Sequence, residues 1–274
     1  MNFIRETKRL LRVYNIKPKK WLGQSFLISQ SLMKRIVEYA NLGKKDVVLD
    51  VGAGLGFLTE ELAERAKEVI AIEVDPKLVR VLEDRLTTYT NVRVIQGDFL
   101  NLQVPRFDKI VSNPPYSISS PFIFKLLDLR FKLGVLTFQE DFAKRLVADH
   151  GTADYGRLTV MVYQRASVEV LERVPKEAFY PIPKVGSSIV RISPLDRKTM
   201  VKDREFFSNL VNILFSQRKR TLRRALITFG ERMRVDVPVD DLVINLNKRV
   251  YQLEPEEFVE LSNHLRKKLL KKHQ

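Results

Sequence analysis

Val47-Val48-Leu49-Asp50-Val51-Gly52-Ala53-Gly54-Leu55-Gly56 is the stretch that decides the fold. Its first five residues read as a buried strand, Asp50 stands near the end of it, and three glycines follow at every second position. Glycine lets the backbone turn tightly and approach a ligand with no Cβ in the way. A dinucleotide fingerprint would read GxGxxG and set the amides of the next helix against a pyrophosphate. Here the third glycine comes one residue early.

Downstream, short β-branched runs alternate with helical stretches, the pattern of a parallel α/β sheet. Strands are expected at Val47–Val51, Val69–Val74, Val92–Gln96, Lys109–Ser112 and Gly134–Gln139, with helices at Thr59–Ala66 and Pro76–Thr87. Val168–Val174 and Ser187–Ile192 read as further strands that close the sheet. Glu73 ends the second strand, 19 residues after Gly54, where a carboxylate accepts hydrogen bonds from ribose hydroxyls. Asp98, in Gln96-Gly97-Asp98-Phe99, ends the third and is placed to accept from an adenine amine. Carboxylates at ribose and base, with no evident phosphate cradle, describe an adenosine site that suits S-adenosylmethionine better than NAD. No residue is placed to handle a hydride.

Asn113-Pro114-Pro115-Tyr116 follows the strand ending at Ser112, and open α/β sheets bind ligands at such carboxyl ends. Two prolines stiffen the loop and remove two backbone donors, leaving carbonyls, an amide side chain and an aromatic face. That set suits a flat base bearing an exocyclic amine. Asn113 Oδ1 and the Pro114 carbonyl can accept the two N–H bonds of the amine, so that its lone pair aims at a methyl donor. Tyr116 is expected to stack on the extruded base, with Phe179 on its opposite face.

After Pro194 the periodicity turns helical, with helices expected at Phe206–Phe215, Leu222–Phe229, Asp240–Leu246 and Glu256–Leu269. The organisation expected is a basic arm over 1–21, a catalytic domain over 22–195 and a small helical domain over 196–274. The chain of 274 residues has a formal net charge of +15, and it sits at the ends: residues 1–21 and 200–274 carry +6 each. Two basic ends around a nearly neutral centre point to a polyanion, and nucleic acid fits better than a membrane because no strongly apolar face accompanies the charge. Lys17, Lys19 and Lys20 at one end, and Arg218, Lys219, Arg220, Arg223 and Arg224 at the other, are the candidate phosphate contacts. The chain has no cysteine and three histidines without metal-ligand spacing, so no metal site is expected. Absent cysteine with abundant Lys, Arg and Glu hints at a thermophilic source. No apolar run reaches the length of a membrane span, and a cytoplasmic monomer is expected.

Together these residues resemble the class I methyltransferase plan, and nearly the whole chain resembles the KsgA family of ribosomal RNA adenine N6,N6-dimethyltransferases. The matching signatures are Gly23-Gln24-Ser25-Phe26-Leu27, Tyr155-Gly156-Arg157-Leu158, Phe179-Tyr180-Pro181-Ile182-Pro183-Lys184-Val185 and Phe215-Ser216-Gln217-Arg218-Lys219-Arg220-Thr221-Leu222-Arg223. The resemblance implies a Rossmann-like sheet with a C-terminal helical domain, and an S-adenosylmethionine pocket lined by Ser25, Leu27, Gly52, Glu73, Asp98 and Asn113. It implies a substrate too: two adjacent adenosines in the 3′-terminal hairpin loop of small-subunit (16S) ribosomal RNA, in a pre-30S particle. The family usually carries Asn or His at the position of Ser25, and its bacterial members generally carry Leu at that of Pro115. Two other readings compete: an RNA-binding assembly factor with dispensable methylation, and an adenine-N6 methyltransferase acting on large-subunit RNA or DNA.

Overall fold

A computed structural model describes residues 3–19, 23–195, 201–239 and 242–271. The chain forms two compact units: Met1–Ala143 with Val168–Pro194, and Lys144–Ser167 with Leu195–Gln274.

The elements run in the order α1 (Phe3–Val13), β1 (Phe26–Leu27), α2 (Gln30–Tyr39), β2 (Val47–Val51), α3 (Phe57–Ala63), β3 (Glu68–Glu73), α4 (Pro76–Arg85), β4 (Val92–Gln96), β5 (Lys109–Ser112), α5 (Ser119–Asp128), β6 (Leu133–Gln139), α6 (Glu140–Leu146), α7 (Arg157–Tyr163), β7 (Ala166–Val174), β8 (Phe179–Tyr180), β9 (Ser187–Pro194), α8 (Arg204–Ser216), α9 (Leu222–Met233) and α10 (Pro255–Lys271). The first unit is built on a seven-stranded sheet of order β4-β3-β2-β5-β6-β9-β7. Strands β2 to β6 pair in parallel, and β9 runs antiparallel to β6. Val48, Leu49, Val69, Ile110 and Val135 are essentially inaccessible, as expected of a parallel sheet buried on both faces. From β2 the chain winds outward through β3 and β4, then returns to β5 on the other side of β2. That reversal opens a crevice at the carboxyl ends of β2 and β5, the place where such sheets bind ligands.

Local chemistry fixes the helices beside the crevice. Asp75 caps α4 by accepting from the Lys77 N–H at 3.1 Å, and Pro76 opens its first turn, where a missing N–H costs nothing. Arg85 of α4 donates to both carboxylate oxygens of Glu60 on α3 at 2.7 Å and lies 4.4 Å from the Phe57 ring centre.

The amino-terminal segment differs from the expected arm. Leu10, Leu11 and Ile16 are buried in the core of the first unit, Tyr14 donates to Asp84 at 2.7 Å, and Lys77 donates to the Asn15 carbonyl at 2.7 Å. The apolar stripe of α1 through Leu10 and Leu11 therefore packs, and its charged residues are mostly exposed, together with Ile4 and Val13.

In the second unit α7, α8, α9 and α10 enclose Phe207, Leu210, Leu214, Phe229, Phe258 and Leu265. It begins again at Leu195, at the expected boundary, but it also takes Lys144–Ser167, which the sequence reading places in the catalytic domain. Tyr155 explains the difference: it is fully buried in this core, and its hydroxyl donates to the Leu253 carbonyl at 2.8 Å. The helix expected over Asp240–Leu246 is absent from 242–246, and 240 and 241 lie outside the described residues. The carbonyls of Leu246 and Lys248 accept from the N–H groups of Arg223 and Leu222. They thereby satisfy donors that the first turn of α9 leaves without partners, and these bonds pin 246–248 against α9.

Candidate active site

A cavity of about 210 Å³ lies in the crevice, lined by the glycine loop, Glu73, Asp98, the loop from Asn113 and the segment from Gly23 to Leu27. Gly52 has φ +75°, and a Cβ there would stand 2.9 Å from Pro115 Cδ. The glycine loop and the Asn-Pro-Pro-Tyr loop thus touch where only glycine fits. Gly54 has φ +60° and faces the Phe26 ring, and its N–H donates to Glu73 Oε2 at 2.9 Å. Glu73 Oε1 accepts from the N–H groups of Val74 and Asp75 at 2.9 and 3.0 Å. This carboxylate shapes the pocket wall, and one Oε2 lone pair remains for a ligand hydroxyl. Burial pushes its pKa up against those three hydrogen bonds.

Asp50, which sequence reasoning did not count as a site residue, also lines the cavity. It is completely buried and accepts from Thr59 Oγ1 at 2.8 Å. Burial raises its pKa to about 7 against hydrogen bonds from Thr59 and Ser112, and the charge of Glu73 adds to the rise. Two buried acids favour a cationic ligand and oppose a pyrophosphate. Only the fold shows this, because it pairs β2 with β3, placing Asp50 opposite Ala71 and Glu73 two residues farther on. Asp98 lines the cavity as expected, its oxygens accepting from the Leu100 N–H at 2.9 Å and Asn101 Nδ2 at 2.7 Å. Leu27 is buried in the wall, and Ser25 lines it with its hydroxyl donated to the Pro181 carbonyl at 2.7 Å.

Asn113 Nδ2 donates to the Ser25 carbonyl at 3.4 Å, which orients the amide. Its Oδ1 is buried and has no partner. A buried acceptor without a donor costs about 1–3 kcal/mol, and because Asn113 lines the cavity its Oδ1 is left available to a ligand N–H. Pro114 and Tyr116 line the same cavity. The Tyr116 hydroxyl lies 2.6 Å from Ser187 Oγ, and burial pushes its pKa up to about 12, so it stays a neutral phenol.

Phe179 departs from expectation. It is wholly buried, pairs with Leu27 across the β1–β8 ladder, and meets Tyr116 edge-on, with ring centres 6.5 Å apart and planes at 76°. In this conformation it supports Tyr116 from behind and offers no second stacking face.

The basic candidates divide. Lys17 is exposed, whereas Lys19 pairs with the buried carboxylate of Asp75 at 2.8 Å, and Lys20 lies outside the described residues. Arg218, Lys219 and Arg220 precede α9, whose cap is Thr221, and so do not share the helix face expected of them. Arg218 donates to the carbonyls of Thr152, Ala153 and Tyr155 at 2.6, 3.0 and 3.3 Å and lies over the Tyr251 ring, a structural staple. Lys219, Arg220, Arg223 and Arg224 are exposed. Arg223 and Arg224 stand in the first turn of α9, where the helix dipole disfavours cations, so stability alone does not call for them there. Among the described residues no group of three or more His, Asp or Glu could hold a metal ion, and no helix is long and apolar enough to cross a membrane.

Known proteins agree with this geometry. The family described as ribosomal RNA adenine dimethylase matches residues 15–267. The chain is 45% identical over 263 residues to the probable ribosomal RNA small subunit methyltransferase A of Methanosarcina barkeri, covering 94% of this chain and 91% of that protein. It is 43% identical over 263 residues to that of Pyrococcus abyssi, covering 94% and 95%. Among solved structures it resembles a dimethyladenosine transferase from Plasmodium falciparum, with TM-score 0.77, 29% identity and 89% and 98% of the two chains covered. It also resembles the 23S rRNA methyltransferase ErmE, with TM-score 0.67, 30% identity and 88% and 99% covered. The sheet, the glycine loop and the matched span of 15–267 agree, and the chain belongs to the ribosomal RNA adenine dimethylase family.

Proposed function

We propose that this protein transfers methyl groups from S-adenosylmethionine to the N6 amines of two adjacent adenosines in the 3′-terminal hairpin loop of small-subunit ribosomal RNA, acting as a monomer in the cytoplasm on a pre-30S particle. The observation that carries the reading is the orphaned Asn113 Oδ1 in the cavity wall. The relatives named for small-subunit methylation support the choice of RNA.

The cavity fits the cofactor chemically. Glu73 retains a lone pair for a ribose hydroxyl, Asp98 stands at the third strand's end, and the buried acids Asp50 and Glu73 would be drawn toward ionisation by the positive charge of a sulfonium. S-adenosylmethionine supplies an electrophilic methyl group when bound. The chain supplies orientation. Asn113 Oδ1 and the Pro114 carbonyl accept the two amine hydrogens, which draws the nitrogen toward tetrahedral geometry and localises its lone pair. The Tyr116 ring, tied through its hydroxyl to Ser187 and backed by Phe179, holds the base plane. The amine can lose its proton after the methyl arrives, so no side chain need act as a strong base. At the second transfer one N–H has become a methyl, and one of the two acceptors goes without its donor.

Labelled S-adenosylmethionine offered with unmethylated small subunits, large subunits or DNA tests the reading. Dimethyladenosine at two adjacent positions of the small-subunit hairpin is expected, mapped by digestion and mass spectrometry. Label confined to large-subunit RNA or DNA overturns it.

A further inference from the structure

Outside the cofactor cavity, a second groove of about 450 Å³ runs between α1 and β8, lined by Lys8, Leu11, Arg12, Asn15, Lys17 and Tyr180 among others. Lys8 and Arg12 stand one turn apart on the exposed face of α1, and Lys17 follows the turn at Asn15. Among the described residues none of these three cations has an acidic partner. Lys8 Nζ is 5.7 Å from the ring centre of Tyr180, which is half-buried. Beyond the contact of Lys8 with the ring, like charges gathered around an aromatic face repel one another. They match a nucleotide, whose phosphate seeks cations and whose base stacks on a ring.

The groove is also wired to the amine clamp. Tyr180 pairs with Phe26, the adjoining Pro181 carbonyl accepts from Ser25 Oγ at 2.7 Å, and the Ser25 carbonyl accepts from Asn113 Nδ2 at 3.4 Å. Two hydrogen bonds therefore separate the groove's aromatic strand from the residue that holds the target amine.

We infer that the groove between α1 and Tyr180 receives the nucleotide next to the target adenosine, with its phosphate among Lys8, Arg12 and Lys17 and its base against Tyr180. This rests on the ribosomal RNA reading above. It gives the second of two adjacent adenosines a place to wait while the first occupies the clamp.

Steady-state transfer to unmethylated small subunits tests the inference with Tyr180→Ala, Tyr180→Phe and the Lys8→Ala/Arg12→Ala pair. Tyr180→Ala is expected to raise KM for the subunit about tenfold, and Tyr180→Phe, which keeps the ring, to recover most of that loss. The double substitution should lower the slope of log affinity against log salt by about 0.7, the share of one single-strand phosphate. A hairpin RNA carrying 8-azidoadenosine beside the target should crosslink to a peptide from α1 or β8. An unchanged KM with Tyr180→Ala, or crosslinks confined to other segments, overturns the groove. Should Tyr180→Ala fail to fold, an unchanged salt slope for the double variant overturns it instead. Failure of the wild-type protein to label small subunits at all is a different result and strikes the parent reading.

Discussion

Asn113 makes one hydrogen bond with its amide nitrogen and none with its oxygen, and that asymmetry is the most testable feature of the site. Asn113→Ala should lower transfer at both methylation steps by about 100-fold or more while cofactor affinity stays measurable; substantial dimethylated product would refute the clamp. Asp50 lends itself to a different measurement. A buried carboxyl with a raised pKa favours folding while protonated. That contribution is whole below its unfolded value near 3.8 and is lost as pH rises through about 7. Asp50→Asn has no such proton to lose. Its melting temperature relative to wild type is therefore expected to climb between about pH 4 and 8, and a constant difference would contradict the assignment. At this scale the sequence was eloquent about residues whose chemistry is local. Gly52, Glu73, Asp98 and Asn113 announce themselves by type and spacing. Phe179 does not, because its burial depends on pairing with Leu27, which is distant in the chain.

Elements show what happens when partners lie far apart. Arg218 belongs to a run of cations that reads as a phosphate-binding face, yet its guanidinium is consumed by carbonyls more than 60 residues away. Its neighbours are exposed. Arg218→Ala is therefore expected to destabilise the helical unit by about 1–3 kcal/mol, as three carbonyls lose a charged donor, whereas Arg224→Ala should leave the melting temperature alone and reduce the salt slope of RNA binding by about 0.7. Denaturant melts and filter binding on the two variants separate these roles, and equal effects on both readouts would show the division to be wrong. The helix α1 escaped the opposite way: its charges advertise an arm, while Leu10 and Leu11 sit in the core. The absent helix over 242–246 is a third case: the carbonyls of Leu246 and Lys248 serve the start of α9, and nothing in the local periodicity reveals that contact.

For the whole molecule, alternating β-branched and helical runs made a parallel sheet with ligand-binding strand ends legible, whereas the strand order, and with it the reversal between β2 and β5, emerges only in the fold. The partition of the chain was legible only in part. Lys144–Ser167 joins the helical unit through contacts that its position in the sequence hides. The charge of +15, concentrated at both ends, predicts that RNA affinity falls steeply with salt. Removing cations at one end should leave a residual slope owed to the other. A slope abolished by changes in either end alone would mean that the two sets do not contribute independently.

The contact between Gly52 and Pro115 bears on the history of such chains. With a rigid pyrrolidine ring 2.9 Å from where a Cβ would stand, any side chain at 52 is barred first by the ring and then by the left-handed backbone. A flexible leucine at 115, as bacterial members generally carry, could swing aside and lift the first bar. The order of substitution then matters: a lineage that acquires proline at 115 narrows its later choices at 52. In that sense the two loops are inherited as a pair.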